Sequence, residues 1–128
     1  MLRNGALIID SKGRTNVEGV YAAGDCASVY HKVRKENVYI PLATTSNKIG
    51  RVVGEHLAGV EIEFAGTLGS AAIKVMNLEA GRTGITEEEA KELNIPYGSV
   101  FIEDANQTGY YPGQEDLFAK LIFHKETR

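Results

Sequence analysis

The sequence predicts an α+β chain in two parts: short strands with one long helix, then an antiparallel sheet with a short helix. Three observations carry this. A helix is framed by Pro41 and Gly59, proline and glycine standing where helices begin and stop. Beyond Val60–Ser70, a Gly- and Ser-containing stretch that reads as the domain linker, the order reads strand, strand, helix, strand, strand, which is the pattern of an antiparallel sheet with a helix on one face. At 43% hydrophobic and 24% charged over 128 residues, the chain has the make-up of a globular protein with a core.

Gly5–Asp10 is a short apolar run between Asn4-Gly5 and Ser11-Lys12-Gly13, and Val17–Ala23 is a second; both are expected as strands. Ser28–Asn37 mixes charge and aromatics without a period and reads as a surface loop or a short helix. Its His31, Lys32, Arg34 and Lys35 suggest either a phosphate site or a solvated loop, and the loop is the simpler account. In the helix from Pro41 to Ala58, Leu42, Ile49, Val52, Val53 and Leu57 make an apolar face. Ala43, Ser46, Gly50 and Gly54 make a small-residue face along which a sheet or a cofactor can come close, such close packing being the expected reason for its glycines. Ala71–Asn77 and Leu78–Gly84 are expected as a hairpin, with Ile73 and Val75 on its half-buried side. Thr86 and Glu89 form a capping box that starts a helix to about Leu93. Ser99–Glu103 and Leu117–His124 are the closing strands, the last alternating through Leu117, Ala119, Leu121 and Phe123.

Composition excludes several functions. A net charge of −3 disfavours nucleic acid and anionic membranes as partners, no apolar run reaches membrane-spanning length, and the N-terminus is no signal peptide; a cytoplasmic protein is expected. The single cysteine, Cys26, permits no internal disulfide, and no residue has metal-ligand spacing, so no metal is proposed. Next to the negative Asp25, Cys26 is expected to be a small buried residue and not a reactive thiol.

The stretch with chemistry is Thr15–Asp25. Gly24 lets the backbone approach a ligand, and Asp25 offers two acceptor oxygens to ligand hydroxyls. Downstream, the first backbone N–H groups of the Pro41 helix, at Leu42, Ala43 and Thr44, make a site for negative charge.

Thr15-x(5)-Tyr21-Ala22-x-Gly24-Asp25 resembles the second flavin motif of the FAD-dependent pyridine nucleotide-disulfide oxidoreductases. Ile40-Pro41-Leu42-Ala43 with Gly50-Arg51 resembles the next piece of that family, and Gly109-Tyr110-Tyr111-Pro112-Gly113 its coenzyme A-disulfide reductase and NADH oxidase branch. The resemblance implies residues 1–62 as the C-terminal part of an FAD-binding domain and 63–128 as the N-terminal part of a dimerisation domain. It implies FAD as cofactor, NADH or NADPH as co-substrate bound outside this chain, and coenzyme A disulfide or oxygen as acceptor. Gly24 and Asp25 would hold the ribityl chain, the helix start at Leu42, Ala43 and Thr44 would face the flavin ring, and the chain would form a homodimer. Either Tyr110 or Tyr111 would reach the partner's active site, an extended backbone sending the two rings opposite ways. No Gly-x-Gly-x-x-Gly fingerprint and no redox cysteine occur in these residues, so the chain is expected to be an internal piece of such an enzyme and inactive alone. Two alternatives stand beside this: a non-enzymatic self-association module, or another flavoprotein branch such as a nitrite, ferredoxin or persulfide reductase.

Overall fold

A computed structural model describes residues 1–127. They form two compact units, Met1–Gly84 and a second beginning at Ile85. The strands make three separate two-stranded antiparallel sheets among the described residues, so the expected antiparallel sheet is a set of hairpins.

In the first unit, neither expected early strand forms. Leu7 makes a single parallel bridge to Ala27, and Arg14 a single antiparallel bridge to Tyr21. The reason lies in polar side chains that compete for the backbone. Asp10 Oδ1 accepts the N–H groups of Lys12 and Arg14, each at 2.9 Å, and Thr15 Oγ1 accepts from Val17 N–H at 3.1 Å while donating to Val20 O at 2.9 Å. Partial burial opposes ionisation of Asp10, but hydrogen bonds from Arg14 and Lys12 outweigh it and hold the carboxyl below its ordinary value. Between these turns Gly13 has φ +78°, and a Cβ there would lie 2.2 Å from Val53 Cγ2, so only glycine fits under the helix.

Ser28–Asn37, expected as a loop or helix, is a hairpin of β1 (Val29–His31) and β2 (Glu36–Val38). Val29 and His31 are buried while Tyr30 between them is exposed, an alternation too short to show in the sequence. His31 is 1% exposed, and its Nδ1 accepts the N–H groups of Val33 and Arg34, both at 3.2 Å. The supposed basic patch is thus anchored by a core histidine and the Arg34–Glu36 ion pair at 2.7 Å.

Helix α1 (Ala43–Leu57) is the longest helix, beginning two residues later than Pro41 because Leu42 is the N-cap. It buries Thr45, Ile49 and Val52. Ile49 and Val52 close a core with Ile9, Ala22 and Ala27, flanked by Leu7, Ala23, Ile62 and Phe64. Leu57, expected on this face, is exposed, being the last residue of the helix. Val60–Ser70, expected as a linker, is tied to this unit: Phe64 N–H donates to Ser11 O at 2.7 Å, and Thr67 exchanges bonds with Tyr30 and Lys32 at 2.9 Å. The hairpin of β3 (Ala71–Val75) and β4 (Leu78–Arg82) turns at Met76 and Asn77, with Met76 at φ +53°. Ile73 and Val75 are exposed instead of half-buried. A 2.7 Å hydrogen bond between the Ser70 and Thr83 hydroxyls closes its base.

In the second unit, α2 (Glu87–Glu92) starts on the expected capping box: Thr86 Oγ1 accepts Glu89 N–H at 3.2 Å, and Glu89 Oε2 accepts Thr86 N–H at 2.8 Å. Thr86→Ala is expected to lower stability by about 1 kcal/mol, with Thr86→Ser restoring it, as read by urea denaturation. Strands β5 (Tyr97–Ala105) and β6 (Asp116–His124) pair along their full length. Lys120 Nζ reaches Glu87 Oε2 at 2.8 Å, which puts α2 on the face carrying Ser99 and Lys120. Hydrogen bonds from Lys120 and from Ser99 hold the Glu87 carboxyl below its ordinary value. On the other face Phe123 lies over Gly98, where a Cβ would come within 2.5 Å of the ring, and Val100, Ile102, Leu117 and Leu121 are exposed.

Candidate functional site

Of the expected site residues, Asp25 and Ala43 meet at one place in the first unit; Gly24, Leu42 and Thr44 do not line it. An open cleft of about 760 Å³ is lined by Asp25, Ala43, Ser46, Asn47, Gly50 and Arg51. The helix residues recur at every third or fourth position, one face of α1. A Cβ added at Gly50 or Gly54 would meet nothing within 4 Å. The glycines therefore do not pack against another element of this chain, so the sheet expected as one possible partner of this face is not there; Gly50 widens the cleft floor.

Gly24, at φ +85° with open space where a Cβ would be, turns the chain so that Asp25 stands at the cleft. The turn closes through Ala27 N–H to Gly24 O at 3.1 Å. Asp25 is exposed, and its Oδ1 accepts from Ser46 Oγ at 2.7 Å. The same turn leaves Cys26 exposed, with its thiol donating to Ala23 O at 3.3 Å; the buried position expected for it is not found. Among the described residues, no three His, Cys, Asp or Glu side chains converge on a point that would hold a metal.

At the helix start, Leu42 has φ −131° and ψ 130°, and no side chain caps the end. Leu42 O accepts Thr45 N–H at 3.0 Å and Ser46 N–H at 2.9 Å. The first-turn N–H groups of Ala43 and Thr44 have no acceptor within the helix, and no acidic residue occupies that turn. The arrangement is one carboxylate for hydroxyls and one helix dipole for negative charge, beside a glycine-floored space. A ligand with a polyol and an anionic or electron-rich ring fits that pair of functions. Ser46, Asn47 and Arg51 were not named as site residues in the sequence; their spacing from Ala43 was the available signal.

Tyr110 and Tyr111 lie in the second unit, in the connection between β5 and β6. They do not point opposite ways. A turn with Tyr111 N–H on Thr108 O at 3.0 Å brings the rings together, centroids 4.7 Å apart at 35°. Gln107 Nε2 on Pro112 O at 3.1 Å and Glu115 N–H on Asn106 Oδ1 at 3.1 Å fasten the same loop. Both rings are exposed, Tyr110 at 79% and Tyr111 at 56%.

Two family profiles match, and between them they account for most of the chain. Residues 1–50 match the pyridine nucleotide-disulphide oxidoreductase family, and residues 70–128 match the dimerisation domain of the same family. The chain belongs to the pyridine nucleotide-disulphide oxidoreductases. It is 43% identical over 123 residues to an NAD(P)H sulfur oxidoreductase (CoA-dependent) of Pyrococcus furiosus, covering 96% of this chain and 28% of that protein. Among solved structures, it superposes on an NAD-dependent persulfide reductase from A. fulgidus with a TM-score of 0.88 and 34% identity, over 95% of this chain and 23% of that one. A water-forming NADH oxidase from Lactobacillus brevis bound to NADH gives a TM-score of 0.87 at 31% identity, over 97% and 28%. The chain thus spans about 28% of the length of the curated relatives it matches. The described residues contain no helix long and apolar enough to cross a membrane.

Proposed function

We propose that this chain is part of a cytoplasmic FAD-dependent NAD(P)H oxidoreductase that reduces a coenzyme A-linked disulfide or persulfide, or oxygen. The observation that carries the reading is the joint placement of Asp25 and the uncapped start of α1 on one cleft. FAD supplies the two-electron chemistry when bound. This chain's own residues bind and orient it: Gly24 clears the approach, Asp25 accepts from ribityl hydroxyls, and Leu42, Ala43 and Thr44 set the N-terminus of α1 against the ring, where N–H groups and the helix dipole favour negative charge.

Residues 1–62 are the flavin-facing part and 63–128 the dimerising part in this reading, a division that falls between the two profile matches. The exposed apolar face of Val100, Ile102, Leu117 and Leu121 supports a homodimer, since such a row in water favours cover. The tilted ring pair of Tyr110 and Tyr111 would present one phenol to the other subunit's active site, where its O–H would donate a hydrogen bond to a thiolate or bound oxygen species.

The test is a graft, because the relatives are longer than this chain. The 128 residues replace the matching segment of the Pyrococcus furiosus relative. The folded graft is expected to purify with flavin and to oxidise NADH against coenzyme A-linked sulfur or oxygen, while the 128 residues alone show no turnover. A folded graft that takes up no flavin overturns the reading.

A further inference from the structure

Resting on the flavin reading above, we propose that Ser46 is a positioning residue for the cofactor: its hydroxyl fixes the Asp25 carboxylate so that the remaining oxygen is aimed at the flavin polyol. Asp25 sits in a glycine turn and is exposed, so its side chain has no packing to hold its rotamer. The contact that does hold it is the 2.7 Å hydrogen bond from Ser46 Oγ to Oδ1. A carboxylate oxygen engaged by a fixed donor leaves the other oxygen free for ligand hydroxyls. The donor stands on α1, whose first residue, Ala43, lines the same cleft. One rigid element thereby sets both the carboxylate and the dipole, and the distance between the two contacts is fixed before the ligand arrives.

Ser46 is also an uneconomical choice for a helix alone. Alanine at this position would form helix better, and a serine inside a helix ordinarily turns back to the carbonyl four residues earlier. Here Leu42 O is taken by the Ser46 N–H, and the hydroxyl goes across to Asp25 instead. Size alone does not require serine, since the cleft is open at this face.

FAD affinity, read by quenching of flavin fluorescence on titration into the chain, is compared for the unmutated protein, Ser46→Ala, Ser46→Thr, Asp25→Asn and the Ser46→Ala/Asp25→Asn double variant. Where the 128 residues take up too little FAD for titration, the same variants are read in the graft as flavin retained per subunit. Ser46→Ala is expected to weaken binding about three- to tenfold, the scale of one ordinary hydrogen bond acting through the carboxylate it positions. Ser46→Thr restores binding, and in the Asp25→Asn background Ser46→Ala has little further effect, which a general loss of helix integrity would not give. If Asp25→Asn weakens binding but Ser46→Ala does not, or if Ser46→Ala costs the same in both backgrounds, the positioning role is overturned and the flavin reading stands. If Asp25→Asn leaves affinity unchanged, or neither the chain nor the graft takes up FAD, both are overturned.

Discussion

Asp25→Ala is expected to weaken flavin retention by roughly ten- to a hundredfold, the scale of a lost hydrogen bond to a charged acceptor. Stability should change by no more than about 0.5 kcal/mol, as for other surface substitutions. The separation of the two effects is the informative part. Asp25 is exposed and outside the apolar core, and among the described residues its hydrogen bond is to Ser46. Removing its carboxylate therefore takes away a binding group and leaves the packing of Ile9, Ala22, Ala27, Ile49 and Val52 as it was. Flavin content of the purified graft and the melting temperature of the same sample measure both. A large fall in melting temperature would mean that Asp25 is structural, and that the cleft owes its flavin to other groups.

Ile49→Ala, by contrast, is expected to destabilise the first unit by about 2–5 kcal/mol, the range for truncating a fully buried isoleucine. Ile49 is 1% exposed at the centre of the core cluster, where Ile9, Ala22, Ala27 and Val52 close around it. Leu57, on the same helix but 62% exposed, is the comparison: Leu57→Ala should change stability only slightly. Urea denaturation of the two variants reads the contrast. Equal losses would show that α1 is held by something other than its Ile49 and Val52 face. Because the cleft lies along the same helix, Ile49→Ala should also weaken flavin retention through loss of the folded population.

The parts of the fold legible in the sequence were those written in local chemistry. Thr86 and Glu89 are spaced for a capping box, and the structure forms it; Leu117, Ala119, Leu121 and Phe123 alternate and share one face of β6. What the sequence did not show depended on partners distant along the chain. His31 looked like one of four charged or polar groups in a loop, yet it is buried because Gly69 and Thr67 return beside it from the far side of α1. The two early apolar runs had strand composition, but Asp10 and Thr15 capture the backbone N–H groups a ladder would use. Gly50 is compatible in sequence with close approach by either a sheet or a cofactor; only the tertiary arrangement, with an open cleft beside it, removes the sheet. Motif spacing singles out Asp25 and Ala43, and these two line one cleft. The Ser46 to Asp25 contact was not legible, because the two residues stand 21 apart in the chain, with a hairpin and a loop between turn and helix.

The nesting of pairs in β5 and β6 has a consequence for the order of folding. From Ala105 and Asp116 outward to Tyr97 and His124, each pair encloses the one before it, so the hairpin can zip from its loop with only a small chain-closure cost at each step. The core of the first unit has no such path, although its two hairpins do: the bridges join Leu7 to Ala27 and His31 to Thr67, and the core waits for Phe64 to return to Ser11. Rates that follow contact order would make the later-synthesised unit the faster to form. During translation the N-terminal unit would stay open until Phe64 and Thr67 leave the ribosome, its core residues exposed to chaperones for that interval.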